Sequence, residues 1–399
     1  MKSHRYLFQE HIAQTTLNSL QFEIEKAQGS YLYGKDGKKY LDLIGGISVC
    51  NIGHSHPNVI NAIKTQAENY LHVMVYGEVV QGPQSQFAGL LASTLPESLS
   101  NIYFTNSGSE GIEGAMKLAK RHTGRTEIIA ADRSYHGSTQ GSMSIFGDIK
   151  WRSAYGPLLP DISFINFNEK NDLDKITKRT ACVILEPIQA ENGIRIPDIS
   201  YIQAVRKKCT EVGALLVFDE NQTGFGRSGK LWAFEHFNII PDILVLGKAL
   251  GGGTPMGAFI SSKAIMRDIA TNPYLGHMTT FGGHPLCCAA GKAALEVILK
   301  DKLIDKVEEK GLLLKNKILK HLDKPREIRQ IGLMLAVEME DSDIVLKVIR
   351  SAMQHPSKPL FIDWFLFADH CIRLVPPLNI SDEELEWAGE YIASCINNL

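Results

Sequence analysis

From about residue 80 to residue 260, short apolar runs alternate with helical segments, and this alternation leaves few folds open. The predicted strands are Ile102–Phe104, Ile128–Ala131, Cys182–Leu185, Ala214–Phe218 and Ile243–Leu246; the predicted helices are Ser85–Ser93, Glu110–Thr123 and Ile202–Val212. A run that is apolar at every position has no solvent face. It belongs in a mostly parallel sheet covered by helices on both sides. A hairpin is expected over Gly29–Leu43, turning at Asp36-Gly37, and a helix from Pro57. Beyond residue 285, two long helices, two short strands and a last helix capped by Ser381-Asp382-Glu383-Glu384 predict a smaller α+β unit. The fold class is therefore α/β, a mostly parallel sheet in a large domain with a smaller α+β domain. The expected division is 1–56 (an N-terminal segment of the small domain), 57–285 (large) and 286–399 (small).

Ligands of open parallel sheets sit beyond the carboxyl ends of the strands. Here those ends carry chemistry. Ile102–Phe104 leads into Thr105-Asn106-Ser107-Gly108-Ser109-Glu110-Gly111, whose Ser107 and Glu110 predict a capping box. Free N–H groups at such a helix start suit an anion. Ala181–Leu185 ends in Glu186-Pro187, Ala214–Phe218 in Asp219-Glu220, and Ile243–Leu246 in Gly247-Lys248 followed by Gly251-Gly252-Gly253. A lysine on the lip of a buried strand is costly to keep charged, which favours an amine nucleophile. A glycine/serine loop, acids and a lysine are thus expected around one crevice.

Several function classes are excluded. A net charge of −2 leaves no basic footprint for nucleic acid. No run of about 18 apolar residues predicts a membrane span, and Met1 to Thr16 lacks the apolar stretch of a secretory signal. The seven cysteines show no CxxC spacing and read as reduced thiols of a cytoplasmic protein. Gly224-Phe225-Gly226-Arg227-Ser228-Gly229-Lys230-Leu231 mimics a nucleotide loop, but Leu231 stands where a metal-binding hydroxyl is needed, and Asp219, Glu220, Asn221 and Gln222 intervene between strand and glycines. His54 and His56 have no third ligand nearby and are expected to be loop residues, so no metal is predicted.

Taken together, Asn106-Ser107-Gly108-Ser109-Glu110, Tyr135-His136-Gly137, Glu186-Pro187-Ile188-Gln189-Ala190-Glu191, Asp219 through Gly229, Leu246-Gly247-Lys248-Ala249-Leu250 and Thr280-Phe281-Gly282-Gly283-His284-Pro285 resemble the class-III aminotransferases, fold-type-I pyridoxal-phosphate enzymes, nearest the acetylornithine, ornithine and 4-aminobutyrate branch. The motifs run in order from about residue 30 to the C-terminus. The resemblance implies that Lys248 joins pyridoxal 5'-phosphate as a Schiff base and then moves the proton, and that Asp219 holds the pyridine nitrogen protonated. It implies that Gly108 and Ser109 hold the phosphate, joined by Thr280 of a second subunit, which makes a homodimer the smallest active unit. Tyr135 stacks on the ring and Gln222 reaches its phenolic oxygen. Glu191 and Arg373 form a pair that opens when 2-oxoglutarate brings a carboxylate. The partners implied are a small-molecule amino donor and a 2-oxo acid acceptor.

Three positions depart from the family pattern. Ser138 stands where an arginine usually binds the remote carboxylate, Ile47 where ornithine enzymes carry an aromatic residue, and Asn221 where an aliphatic residue meets the ring. The reading is a ping-pong transaminase for the terminal amino group of an ω-amino acid or diamine. The alternative is another reaction of this cofactor on the same fold: decarboxylation, aminomutation or racemisation.

Overall fold

A computed structural model describes residues 2–16, 19–75 and 77–399; Met1, Leu17, Asn18 and Tyr76, which fall in the first two expected segments, lie outside the described residues. The strands are β1 (Ile24–Gln28), β2 (Tyr31–Gly34), β3 (Lys39–Asp42), β4 (Asn101–Thr105), β5 (Glu127–Ala131), β6 (Ile162–Ile165), β7 (Thr180–Leu185), β8 (Leu215–Asp219), β9 (Ile243–Leu246), β10 (Gly257–Ser261), β11 (Ile328–Ile331), β12 (Met334–Glu338), β13 (Leu360–Phe361), β14 (Asp363–Trp364) and β15 (Cys371–Leu374). Seven make the central sheet in the order β4-β10-β9-β8-β7-β5-β6. β5 through β9 run parallel, and β10 is antiparallel to both of its neighbours. β7, β8, β9 and β10 are buried at every residue, as strands covered on both faces must be. Two four-stranded sheets, β1-β2-β3-β13 and β11-β12-β15-β14, make up the smaller layers.

The sequence pattern passed over β6 and β10. β6 is only four residues long and three of them are half-buried, while β10 opens on glycine and closes on serine, so neither reads as a strong apolar run. The expected boundary at residue 285 falls at the start of the helix Pro285–Lys300. That helix packs on the helices Pro57–Asn69 and Gly82–Ser93 and sends Cys288, Ala290, Ala294, Val297 and Ile298 into the core around the large sheet. The next helix, Val307–His321, turns Val307, Leu314 and Ile318 into a second core with Leu41 and Leu43. These two helices therefore join different cores, because the apolar face of a helix, not its first residue, decides which core it joins.

The nucleotide-loop mimic is a structural staple. Arg227 is fully buried and donates to the carbonyls of Leu333 and Pro376 and to Asn51 Oδ1, so it ties the large core to the small one. His54 Nε2 lies 2.6 Å from the buried Asp42 carboxylate, a fold contact. Among the described residues no helix is long and apolar enough to cross a membrane.

Candidate active site

The parallel strands deliver their C-terminal residues to one edge of the sheet. After β4, Ser107 caps the helix Gly108–Thr123 by accepting from Glu110 N at 3.2 Å. The expected reciprocal bond is absent: Glu110 Oε2 instead takes the N–H and the side-chain amide of Asn106, both at 2.8 Å. Glu110 thus braces the loop one residue earlier than a capping box would. Among the described residues the N–H groups of Gly108 and Ser109 have no partner in the chain, which leaves two donors at the positive end of a sixteen-residue helix.

Gly137 closes the loop after β5 against this helix start. Its φ is +113°, and a Cβ there would stand 2.0 Å from Ser109 Oγ, so only glycine lets the two loops touch. Asn221 wedges between two other glycines: a Cβ on Gly108 or Gly247 would come 2.4 Å from its Oδ1. Asn221 therefore seats the glycine before Lys248 against the start of the helix Gly108–Thr123.

Asp219, at the end of β8, is buried and fully engaged on one side. Its Oδ2 lies 2.7 Å from His136 Nδ1, and its Oδ1 accepts from Asn221 N at 3.0 Å. His136 carries no role of its own in the sequence reading. A histidine just past a strand end at the same sheet edge as a buried acid was the available signal. Glu220 turns the other way and caps the Ala233 and Phe234 N–H groups at 2.6 and 2.8 Å, and burial pushes its carboxyl up to about 8. It is a structural acid.

Lys248 follows Gly247 with φ +47°, half-buried, and among the described residues its amine makes no hydrogen bond or ion pair. The turn Gly45–Ser48, which carries Ile47, packs against the turn Lys248–Gly251. Ile47 itself has φ +60° and ψ +61°, a strained conformation for a β-branched residue. Asp42 holds it there by accepting from Ile44 N and Gly45 N at 2.8 and 3.0 Å.

Glu191 and Arg373, 182 residues apart, form a buried bidentate pair of 2.7 and 3.1 Å. Arg373 also donates through Nε and Nη2 to the Trp364 carbonyl and lies over the Phe365 ring, while Leu366 N donates to Glu191 Oε2. Tyr135, Phe146, Phe367 and Trp151 stand edge-to-face in sequence beside this pair, an aromatic wall that sequence reasoning did not assign. Ser138 Oγ lies 3.4 Å from the Tyr135 hydroxyl. Thr280 is set apart. It is exposed, and its neighbour Thr279, not Thr280, meets Asn106 in the same chain.

These residues fit pyridoxal phosphate on their own evidence. Among the described residues Gln222 Nε2 is buried without a partner and is a donor in want of an oxygen. Two free N–H groups await an anion, a buried carboxylate stands behind them, and an amine is unpaired.

A family model described as aminotransferase class-III matches residues 12–396. The acetylornithine aminotransferase of Methanopyrus kandleri is 37% identical, with 92% of each chain covered. The LysW-aminoadipate semialdehyde/glutamate semialdehyde transaminase of Sulfurisphaera tokodaii is 39% identical, again with 92% of each covered. A crystal structure of the ornithine aminotransferase from Toxoplasma gondii, with partial occupancy of PLP at its active site, superposes with a TM-score of 0.89 at 27% identity, covering 98% of this chain and 93% of that one.

Proposed function

The chain belongs to the class-III aminotransferases, and from that premise we propose that this pyridoxal-phosphate-dependent transaminase takes the terminal amino group of an ω-amino acid or diamine-type donor and passes it to 2-oxoglutarate by a ping-pong mechanism. The observation that carries the two-substrate reading is the Glu191–Arg373 pair. Relatives named for acetylornithine and for LysW-aminoadipate semialdehyde support the donor class.

Bound at this edge of the sheet, pyridoxal phosphate supplies an electrophilic carbonyl and a ring that accepts the electron pair left by proton removal. The chain does the rest. The N–H groups of Gly108 and Ser109 hold the phosphate. Asp219 keeps a proton on the ring nitrogen, with His136 fixing its carboxylate, and Gln222 donates to the phenolic oxygen. Tyr135 covers the ring. The Lys248 amine would be the base that takes and carries the proton of the donor carbon. With Glu191 bound, Arg373 is neutralised and a donor without a carboxylate at that place fits. A dicarboxylic acceptor displaces Glu191 and binds Arg373 bidentately.

Arg373→Ala is expected to raise the acceptor KM by roughly 10- to 100-fold, the worth of a charge-assisted hydrogen bond, and the donor KM by far less. Steady-state kinetics with each substrate varied checks this, and equal changes would count against the switch. The donor is identified by adding ornithine, N-acetylornithine, 4-aminobutyrate, lysine and putrescine singly to the yellow enzyme without acceptor and following the absorbance of the cofactor. Turnover that needs no acceptor would favour the decarboxylase, aminomutase or racemase alternative.

The homodimer follows from the same reading. Thr280 sits in an exposed apolar stretch with Tyr274, Met278 and Phe281, and Leu71 and Val80 are likewise exposed. A second copy of the chain covers these residues and receives Thr280 at its phosphate site. Thr280→Ala is expected to weaken cofactor retention about tenfold, one hydrogen bond to a charged group. Dialysis against buffer, with mass measured by light scattering, tests both points. Seven free thiols support a cytoplasmic location.

A further inference from the structure

Between the ring-covering loop and the switch loop stands an acid that the chemistry above leaves unused. Glu186 is buried at the end of β7, the strand that lies between β5 and β8. Its Oε1 accepts from Tyr135 N and its Oε2 from Ala190 N, each at 3.0 Å. Tyr135 belongs to the loop after β5, and Ala190 immediately precedes Glu191. The β5–β7 ladder ends at Ala130 and Ile184, and beyond it Gln189 Nε2, which donates to the Asp132 carbonyl at 2.6 Å, also joins the two loops.

We infer that Glu186 is a positioning residue whose carboxylate, beside the Gln189–Asp132 bond, sets the Tyr135 loop and the Glu191 loop in register with one another. The inference rests on the reading of Glu191 and Arg373 as a substrate switch. A buried acid need not bridge two functional loops; two backbone N–H groups of one turn would satisfy it, as they do for Glu220. Glu186 instead takes one donor from each of two loops that leave neighbouring strands, and both loops carry a side chain of the site.

The charged groups that face it are His136, whose ring nitrogen is on Asp219, and Asp219 itself. Burial pushes the Glu186 carboxyl up to about 7, with His136 opposing and Asp219 adding to the shift. Ionised, it accepts both N–H groups. As pH falls through that value one oxygen takes a proton and ceases to be a free acceptor, so one loop loosens. The donor half-reaction or the cofactor affinity, according to which loop is released, therefore declines on the acid side of about pH 7.

The test is Glu186→Gln in the cofactor-loaded enzyme, because an amide can accept from only one of the two N–H groups. Single-turnover kinetics of each half-reaction and the cofactor dissociation constant are measured together. The expected result is a tenfold fall in donor kcat/KM with the acceptor within about twofold, or a tenfold weaker cofactor, according to which loop is released. The acid limb near pH 7 should flatten. In the double variant with Glu191→Gln, the donor loss should not add. Equal losses in both half-reactions at unchanged cofactor affinity, or fully additive losses in the double variant, overturn the inference. If Glu191→Gln alone leaves the donor-to-acceptor ratio unchanged, the switch reading fails instead, and cofactor affinity then judges the Tyr135 arm by itself. Should Glu186→Gln not fold, Glu186→Asp, one methylene shorter, spans only one loop and is expected to give the same split.

Discussion

Lys248→Ala is expected to lower transamination by at least about a thousandfold, the upper part of the range for a positioned proton-transfer group, while the protein still folds. Borohydride should no longer attach the cofactor covalently to the chain, and peptide mass mapping of the treated wild type should find the label on Lys248. The expectation follows from the state of the amine. It is half-buried at the lip of β9, and among the described residues nothing in the chain pairs with it. A structural lysine in such a place would be engaged, as Lys310 is by the carbonyls of Leu378 and Ile380. The left-handed conformation of a lysine also has to be held, and Gly247 against Asn221 holds it. Turnover that survives the substitution would remove Lys248 from the chemistry, and the cofactor assignment of the whole edge would have to be redrawn.

Asp219→Asn should cost about 10^2- to 10^3-fold in kcat, in line with the loss of one preorganised electrostatic partner of a developing charge. The change is close to isosteric, so the loss reads the charge rather than the shape. Asp219 is buried, and His136 at 2.7 Å and Asn221 N at 3.0 Å hold its two oxygens in place. On the proposed reading Asp219 would hold the proton on the ring nitrogen, and the amide would remove the charge that favours it. Rapid-mixing absorbance of the donor half-reaction, at a cofactor content checked beforehand, separates slow chemistry from lost cofactor. A rate within tenfold of wild type would place the protonating group elsewhere.

Much of this was legible in the chain. Continuous apolar runs named the strands at the centre of the sheet, and because a parallel sheet gathers its ligand-facing groups at one edge, they also marked Ser107–Ser109, Asp219 and Lys248 as neighbours in function. The hairpin Tyr31–Leu41 and the Ser381–Glu384 capping box formed as their turn and cap residues dictate. Other features were hidden because their signals are not local. β10 opens on glycine and closes on serine, and it is a strand because β9 and β4 flank it. Ser107 and Glu110 have the spacing of a capping box, yet the Asn106 amide competes for Glu110 and wins. Arg227 looks like part of a nucleotide loop until three acceptors from distant segments surround it.

The sequence by itself determined the fold class, the family and which residue types stand at each strand end, since hydrophobic period and residue type act within a few positions along the chain. Only the tertiary structure decided that β7 lies between β5 and β8, which lets Glu186 accept from both Tyr135 N and Ala190 N and lets His136 reach Asp219. It alone brought Arg373 across 182 residues to Glu191. Strand order and domain docking are set by how whole apolar faces fill one another, and no short stretch of chain records that sum.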